Sequence, residues 1–240
     1  MRSALFSAEN LEQESAQPGM RLQNSKMLKI ELNGEAMARV GSMVAYQGNV
    51  QFQALGSGGL GKFLKQKLTG EGVPLMRVSG QGDVFLAELA KDVHIIDLEP
   101  GDALSINGSS VLAFDSSLQY DIRMVGGAGM ASSSGLFNCV FTGHGRIAIT
   151  TKGTPVVLNV DQPTYVDPQA AVCWSANLQT GYHRAEQLGL GTLLGRRTGE
   201  SFTMSFAGQG FVVVQPSEEP PVMGSGAQEQ QGGLLGGLLS

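Results

Sequence analysis

Apolar and polar positions alternate over much of this chain. Met27-Leu28-Lys29-Ile30-Glu31-Leu32 and Val50-Gln51-Phe52-Gln53-Ala54 both repeat with a period of two, the spacing of a half-buried strand. Asn33-Gly34 follows the first run and predicts a two-residue hairpin turn. Further strands are predicted at 75–79, 83–88, 93–98, 103–106, 110–114 and 119–125, and the series recurs over 137–178. Glu99-Pro100-Gly101-Asp102, Asn107-Gly108, Gln162-Pro163 and Asp167-Pro168 supply the turns. Helical spacing shows at Leu60, Phe63, Leu64 and Leu68, which predicts a short amphipathic turn or helix after a Gly-rich run.

A longer period overlies the strands. Three times a hydrophobic run meets a small residue, then Gly-x-Gly, then another hydrophobic run: around Gly80 and Gly82, Gly143 and Gly145, and Gly208 and Gly210. The leading glycines stand 63 and 65 residues apart. A second marker keeps the same phase. Val44-Ala45-Tyr46, Leu112-Ala113-Phe114 and Val172-Cys173-Trp174 all read large-small-aromatic, 34, 29 and 34 residues before the next glycine pair. Self-similarity at a fixed period predicts three copies of one supersecondary unit packed on one another. A dinucleotide loop is excluded, because it needs a third glycine and a following helix, whereas runs such as Phe211-Val212-Val213-Val214 prefer a pleated surface. The six glycines are read as positive-φ residues in tight turns or bulges between strands.

Composition narrows the class. Gly makes up 34 of 240 residues and charged residues only 15%, which suits many short strands joined by tight turns. The net charge of −5 argues against a generally nucleic-acid-binding surface. No stretch of 18 apolar residues and no signal-peptide pattern is present, so a cytoplasmic chain is expected. Residues 1–25 are expected to form an N-terminal arm, either loosely tied or paired as an edge strand, 26–216 one compact β domain, and 217–240 a disordered Gly/Leu tail.

Candidate chemistry is sparse. His94, His144 and His183 fall in different phases of the repeat, and no paired-His, Cys-x-x-Cys or Gly-x-Ser-x-Gly pattern occurs. No catalytic residue, metal or cofactor is therefore predicted, and the chain is expected not to be an enzyme. Cys139 and Cys173 sit in apolar runs and are expected as buried reduced thiols. Positive charge gathers at Lys62, Lys65 and Lys67 and again at Arg196 and Arg197, in corresponding phases. These five form the candidate contact with an anionic surface. Glu71 and Glu200 also recur in phase and are expected to act structurally.

Lys65-Gln66-Lys67-Leu68-Thr69-Gly70-Glu71, Gly80-Gln81-Gly82, Thr198-Gly199-Glu200 and Gly208-Gln209-Gly210 together resemble the bacterial branch of the altered-inheritance-of-mitochondria family, twenty-fourth member, a former domain of unknown function. The resemblance spans about residues 26–215. The chain departs from it in the Ser-rich segment of its middle copy and in the Gln or His inside its glycine pairs. The resemblance implies a fold similar to that of the tryptophan RNA-binding attenuation protein (TRAP), a double-stranded β-helix or jelly-roll-like all-β architecture. It also implies homotrimers and, from the mitochondrial relatives, a link to inner-membrane organisation. It implies no catalytic residues. The expected function is a non-enzymatic scaffold or interaction protein, peripheral to the inner face of a membrane. The alternative is an RNA- or small-ligand-binding β module by analogy of fold.

Overall fold

The computed structural model describes residues 3, 7–12, 18–55, 73–124, 137–183 and 203–217. These residues are almost entirely strand, as the period-two patterning requires. The first group is β1 (Gly19–Asn24), β2 (Met27–Arg39), β3 (Met43–Ala54) and β4 (Leu75–Leu86). The second is β5 (Asp92–Leu98), β6 (Ala103–Asn107), β7 (Val111–Asp115), β8 (Gln119–Met124), β9 (Phe137–Thr142) and β10 (Gly145–Thr151). The third is β11 (Val156–Val160), β12 (Thr164–Val166), β13 (Ala171–Ser175), β14 (Gln179–His183), β15 (Thr203–Ala207) and β16 (Gly210–Val214).

Every pairing is antiparallel. A seven-stranded sheet runs β3-β4-β2-β7-β10-β5, with β1 also on β2; a six-stranded sheet runs β11-β16-β13-β6-β9-β8; and β12-β15-β14 form a third. None of the three closes into a barrel. Between the first two sheets, Ile106, Phe114, Phe141, Ile147 and Cys173 are fully buried, with the Phe114 and Phe141 rings edge-on at 4.9 Å. Leu28, Ile30, Val78, Val84, Leu112 and Ala148 form a second cluster. A third gathers Val160, Trp174, Met204, Phe206 and Val212.

Two expectations about turns are corrected. Asn33-Gly34 is not a hairpin: it lies inside β2, whose residues from Leu28 to Arg39 pair without a break with Leu86 to Leu75 of β4. That continuous ladder outweighs the local preference of the dipeptide. Likewise 75–79 and 83–88 are not two strands. They merge in β4, where Gly80 and Gly82 stand within the strand rather than between strands. The other glycine pairs mark places where the chain changes sheet. β9 lies in the six-stranded sheet and β10 in the seven-stranded one, so the chain turns a corner at Gly143-His144. β15 and β16 likewise belong to different sheets on either side of Gly208-Gln209. Positive φ values occur at Gly80, Gly82, Gly143, Gly145 and Gly208, but not at Gly210.

The ladders around these pairs repeat one scheme. After each pair, Gly82 faces Leu32, Gly145 faces Leu98 and Gly210 faces Val160. Two residues before each pair, Val78 faces Ala36, Phe141 faces Leu104 and Phe206 faces Thr164.

Candidate interaction surfaces

Lys62, Lys65, Lys67, Arg196 and Arg197 lie outside the described residues, as do Glu71, Glu200 and the amphipathic turn expected at Leu60–Leu68. The strand ends that hold these segments are described. Segment 56–72 joins β3 to β4, where Ala54 faces Met76 and the Leu55 amide donates to the Leu75 carbonyl at 2.9 Å. Segment 125–136 joins β8 to β9 beside the pair Met124 and Phe137. Segment 184–202 joins β14 to β15 beside His183 and Thr203. All three therefore connect neighbouring antiparallel strands at corresponding points of the chain.

The exits of the first two segments meet at Gly108. A Cβ placed on Gly108 would lie 2.5 Å from Val73 Cγ2 and 2.9 Å from the Phe137 carbonyl oxygen, so only a glycine admits both chains. Arg39 braces the spot, its guanidinium donating to the Gly108 carbonyl and, through Nε, to the Val111 carbonyl at 2.8 Å. Next door, Asn107 Nδ2 donates to the carbonyls of Ala171 (3.1 Å) and Pro168 (3.4 Å). Pro168 lies two residues past the end of β12, whose Val166 faces Met204 at the exit of the third segment.

A buried ion cluster went unread in the sequence. Lys29 is only 1% exposed although its neighbours Leu28 and Ile30 are buried on the opposite face of β2. Its ammonium pairs with Glu12, with Asp83 at 3.3 Å and with Glu31 at 3.6 Å, and it lies 5.7 Å from the centre of the Phe85 ring. Arg21 shares Glu31. Burial alone would lower the Lys29 pKa, but the bonds that Lys29 donates to Glu12 and Asp83, with the charges of those carboxylates, outweigh it and raise the value. The bond from Lys29 holds Glu12 below its ordinary value. The cluster ties residues 7–12 and β1 to the sheet, helped by Gln23 Nε2 donating to the Leu11 carbonyl at 3.0 Å. Part of the stretch expected as an arm is thus built into the sheet.

The histidines are not brought together. His94 Nε2 is 2.9 Å from Thr151 Oγ1, His144 Nδ1 is 3.2 Å from the Leu98 carbonyl, and His183 ends β14. Among the described residues, no three His, Cys, Asp or Glu side chains are grouped to hold a metal ion. Cys139 and Cys173 are buried and free. Both face Ile106, one from each side, so two strand spacings, about 9–10 Å, separate them, beyond the reach of a disulfide. Burial pushes both thiols up to about 12.

Exposed apolar side chains occur on β3, β8, β11 and β12. Val44 is 53% and Tyr46 49% exposed, whereas Leu112 and Phe114 of β7 and Val172 of β13 are 0% exposed, although the three triplets read alike. Nothing in the sequence distinguished them. Among the described residues no helix is long and apolar enough to cross a membrane.

No curated protein matches this sequence. Among solved structures, the crystal structure of protein SPYM3_0169 from Streptococcus pyogenes superposes with a TM-score of 0.64 at 22% identity, covering 84% of this chain and 94% of that one. That likeness extends the all-β architecture to a bacterial protein of comparable length. The family described as Mitochondrial biogenesis AIM24 matches residues 20–217, which takes in the strands from β2 to β16 with the ladders around all three glycine pairs, and the chain belongs to that family.

Proposed function

We propose that the protein is a non-enzymatic scaffold made of three copies of one β unit, arranged as in a TRAP-like double-stranded β-helix. Unit 1 is β2–β4, unit 2 is β5–β10 and unit 3 is β11–β16. Supporting this reading, the ladders on either side of each glycine pair follow one scheme, with β2, β3 and β4 doing in single long strands what six shorter strands do in each later unit. In this reading the chain assembles as a homotrimer, resides in the cytoplasm and meets the inner face of an anionic membrane.

The observation that carries the membrane part is the placement of the exits. The three segments leave at the same point of each unit, the first two side by side over Gly108 and the third beyond Asn107 and Pro168. In this reading the segments that carry Lys62, Lys65, Lys67, Arg196 and Arg197 act together, and cations near an anionic surface attract acidic headgroups by about 1 kcal/mol each. Flotation with vesicles containing phosphatidylserine tests this. Wild type is expected to float, and a variant with all five residues changed to Gln is expected to remain at the bottom. Equal flotation of the two would remove membrane contact from the function.

A further inference from the structure

We propose that the outer edge of β3, over Ala45–Gln47, receives the outer edge of β12 from a second copy of this chain, with Val166 opposite Ala45 and Thr164 opposite Gln47. The inference rests on the three-unit reading and goes beyond it by assigning the contact surface and its register.

Two junctions between units exist within the chain. At the first, β2 meets β7 with Ala36 opposite Asp115 and Ala38 opposite Ala113. At the second, β6 meets β13 with Leu104 opposite Ser175 and Ile106 opposite Cys173. The ladders fix which residues correspond. Ala36, Leu104 and Thr164 face Val78, Phe141 and Phe206, each two residues before its leading glycine. Ala38, Ile106 and Val166 face Met76, Cys139 and Met204, each four before. On the receiving side, Ala113, Cys173 and Ala45 face Ala148, Val213 and Phe85, each five after its leading glycine. A third junction of the same kind must therefore join β12 to β3 in the stated register.

Within one chain that junction is not made. Among the described residues β3 pairs with β4 and β12 with β15, and each ends its sheet. The consequence shows in burial: the two receiving strands whose junction exists bury their large-small-aromatic triplet, and the one whose junction is missing leaves Val44 and Tyr46 about half exposed. β3 also lacks the usual protection of a free edge. Its twelve residues, Met43–Ala54, include no charged residue and no proline. A second copy is the occupant because each chain carries one edge of each kind, already matched twice in its own interior. Such a head-to-tail contact closes into a ring or continues as a chain of molecules, and a ring of three copies agrees with the trimer proposed above.

Cysteine cross-linking of the full chain tests the register. Ala45→Cys and Val166→Cys, co-expressed on chains distinguishable by a tag and mildly oxidised, are expected to give a reducible heterodimer that neither variant gives alone. Ala38→Cys with Ala113→Cys in one chain occupies the equivalent internal positions and is expected to close within the chain. If the internal pair closes and the co-expressed pair does not, the three-unit reading stands and the docking of a second copy is overturned. If a chain carrying both Ala45→Cys and Val166→Cys closes only on itself, the junction is intramolecular and the proposal likewise fails. Failure of the internal pair would overturn the unit reading itself, and the proposal with it. As a second measurement, Val44→Lys sets a charge on the receiving edge and is expected to reduce the light-scattering mass to that of one chain; an unchanged oligomer would also overturn the proposal.

Discussion

Gly34 and Gly82 offer a controlled test of what the glycine row in the first unit does. Gly34 stands in β2 and Gly82 in the paired strand β4, two positions apart in register, with φ values of +122° and +150°. An alanine at either site meets the same backbone objection, about 1–3 kcal/mol for a side chain held in a glycine-only region, offset by about 0.4–1 kcal/mol from a less flexible unfolded chain. Their surroundings differ. A Cβ on Gly34 meets nothing within 4 Å, whereas a Cβ on Gly82 runs into the Gln47 carbonyl oxygen and lies 3.0 Å from its carbon and 3.1 Å from Gly48 Cα. These neighbours are backbone and cannot rotate away, so β3 must move off β4. Overpacking of this kind adds about 1–3 kcal/mol, and each ladder bond weakened adds about 1 kcal/mol. Gly82→Ala should therefore be less stable than Gly34→Ala by about 2–4 kcal/mol, which in a chain of this size is about 5–15 °C in Tm. Calorimetry on the two variants reads the gap directly. Melting points within about 2 °C of each other would refute the claim that close backbone approach, rather than backbone angle, is why Gly82 is glycine.

The Lys29 cluster predicts two pH limits for the N-terminal anchor. Glu12 is depressed below its ordinary 4.5, so its contribution is complete above that pH and is lost as pH falls through the lower folded value; Lys29 is raised above 10.5, so its contribution holds below that pH and is lost as pH climbs through the folded value. Hydrogen-exchange protection of residues 7–12 and 18–24 should fall at the acid limit in wild type but show no such step in Glu12→Gln, and an unchanged acid step in the variant would contradict the assignment. Cys139 and Cys173, with thiols pushed up to about 12 by burial, should resist a thiol reagent at pH 8 in the native protein and both react in guanidinium, while prompt native labelling would contradict their burial.

Strand positions were legible because period-two patterning and turn residues are local signals: β5 to β8 fall within one residue of expectation, and the run following Gly80-Gln81-Gly82 ends at Leu86, two residues short of its expected end. What the glycine pairs do was not legible. A hydrophobic run on each side of Gly-x-Gly reads the same whether the chain stays in one sheet, as in β4, or changes sheet, as between β9 and β10; the difference lies in distant pairing partners. Asn33-Gly34 failed for the same reason, since its local turn signal competes with twelve pairs to β4 that lie far along the chain. Lys29 was read as the solvent-facing member of an alternating strand. Its burial depends on Glu12, Asp83 and Phe85 closing over the second face of β2, which no local window contains.

The treatment of its edges gives the first unit its meaning. In the three-unit reading, each unit leaves strand edges that need a neighbour to satisfy their backbone groups. In the interior these neighbours are the adjoining units. At the start of the chain, β1 pairs with Met27–Glu31 of β2, on the side where β7 pairs with Ala36–Ala38, and the Lys29 cluster pins that cover in place. One edge of the first unit is thus closed by a dedicated strand and a buried ion cluster. The neighbouring edge of β3 is longer and carries no charged residue, and it has no such cover among the described residues. Under the docking proposed above, the covered edge belongs to the chain itself and the open one to a second copy, and among the described residues the edge that matches β3 in register is that of β12.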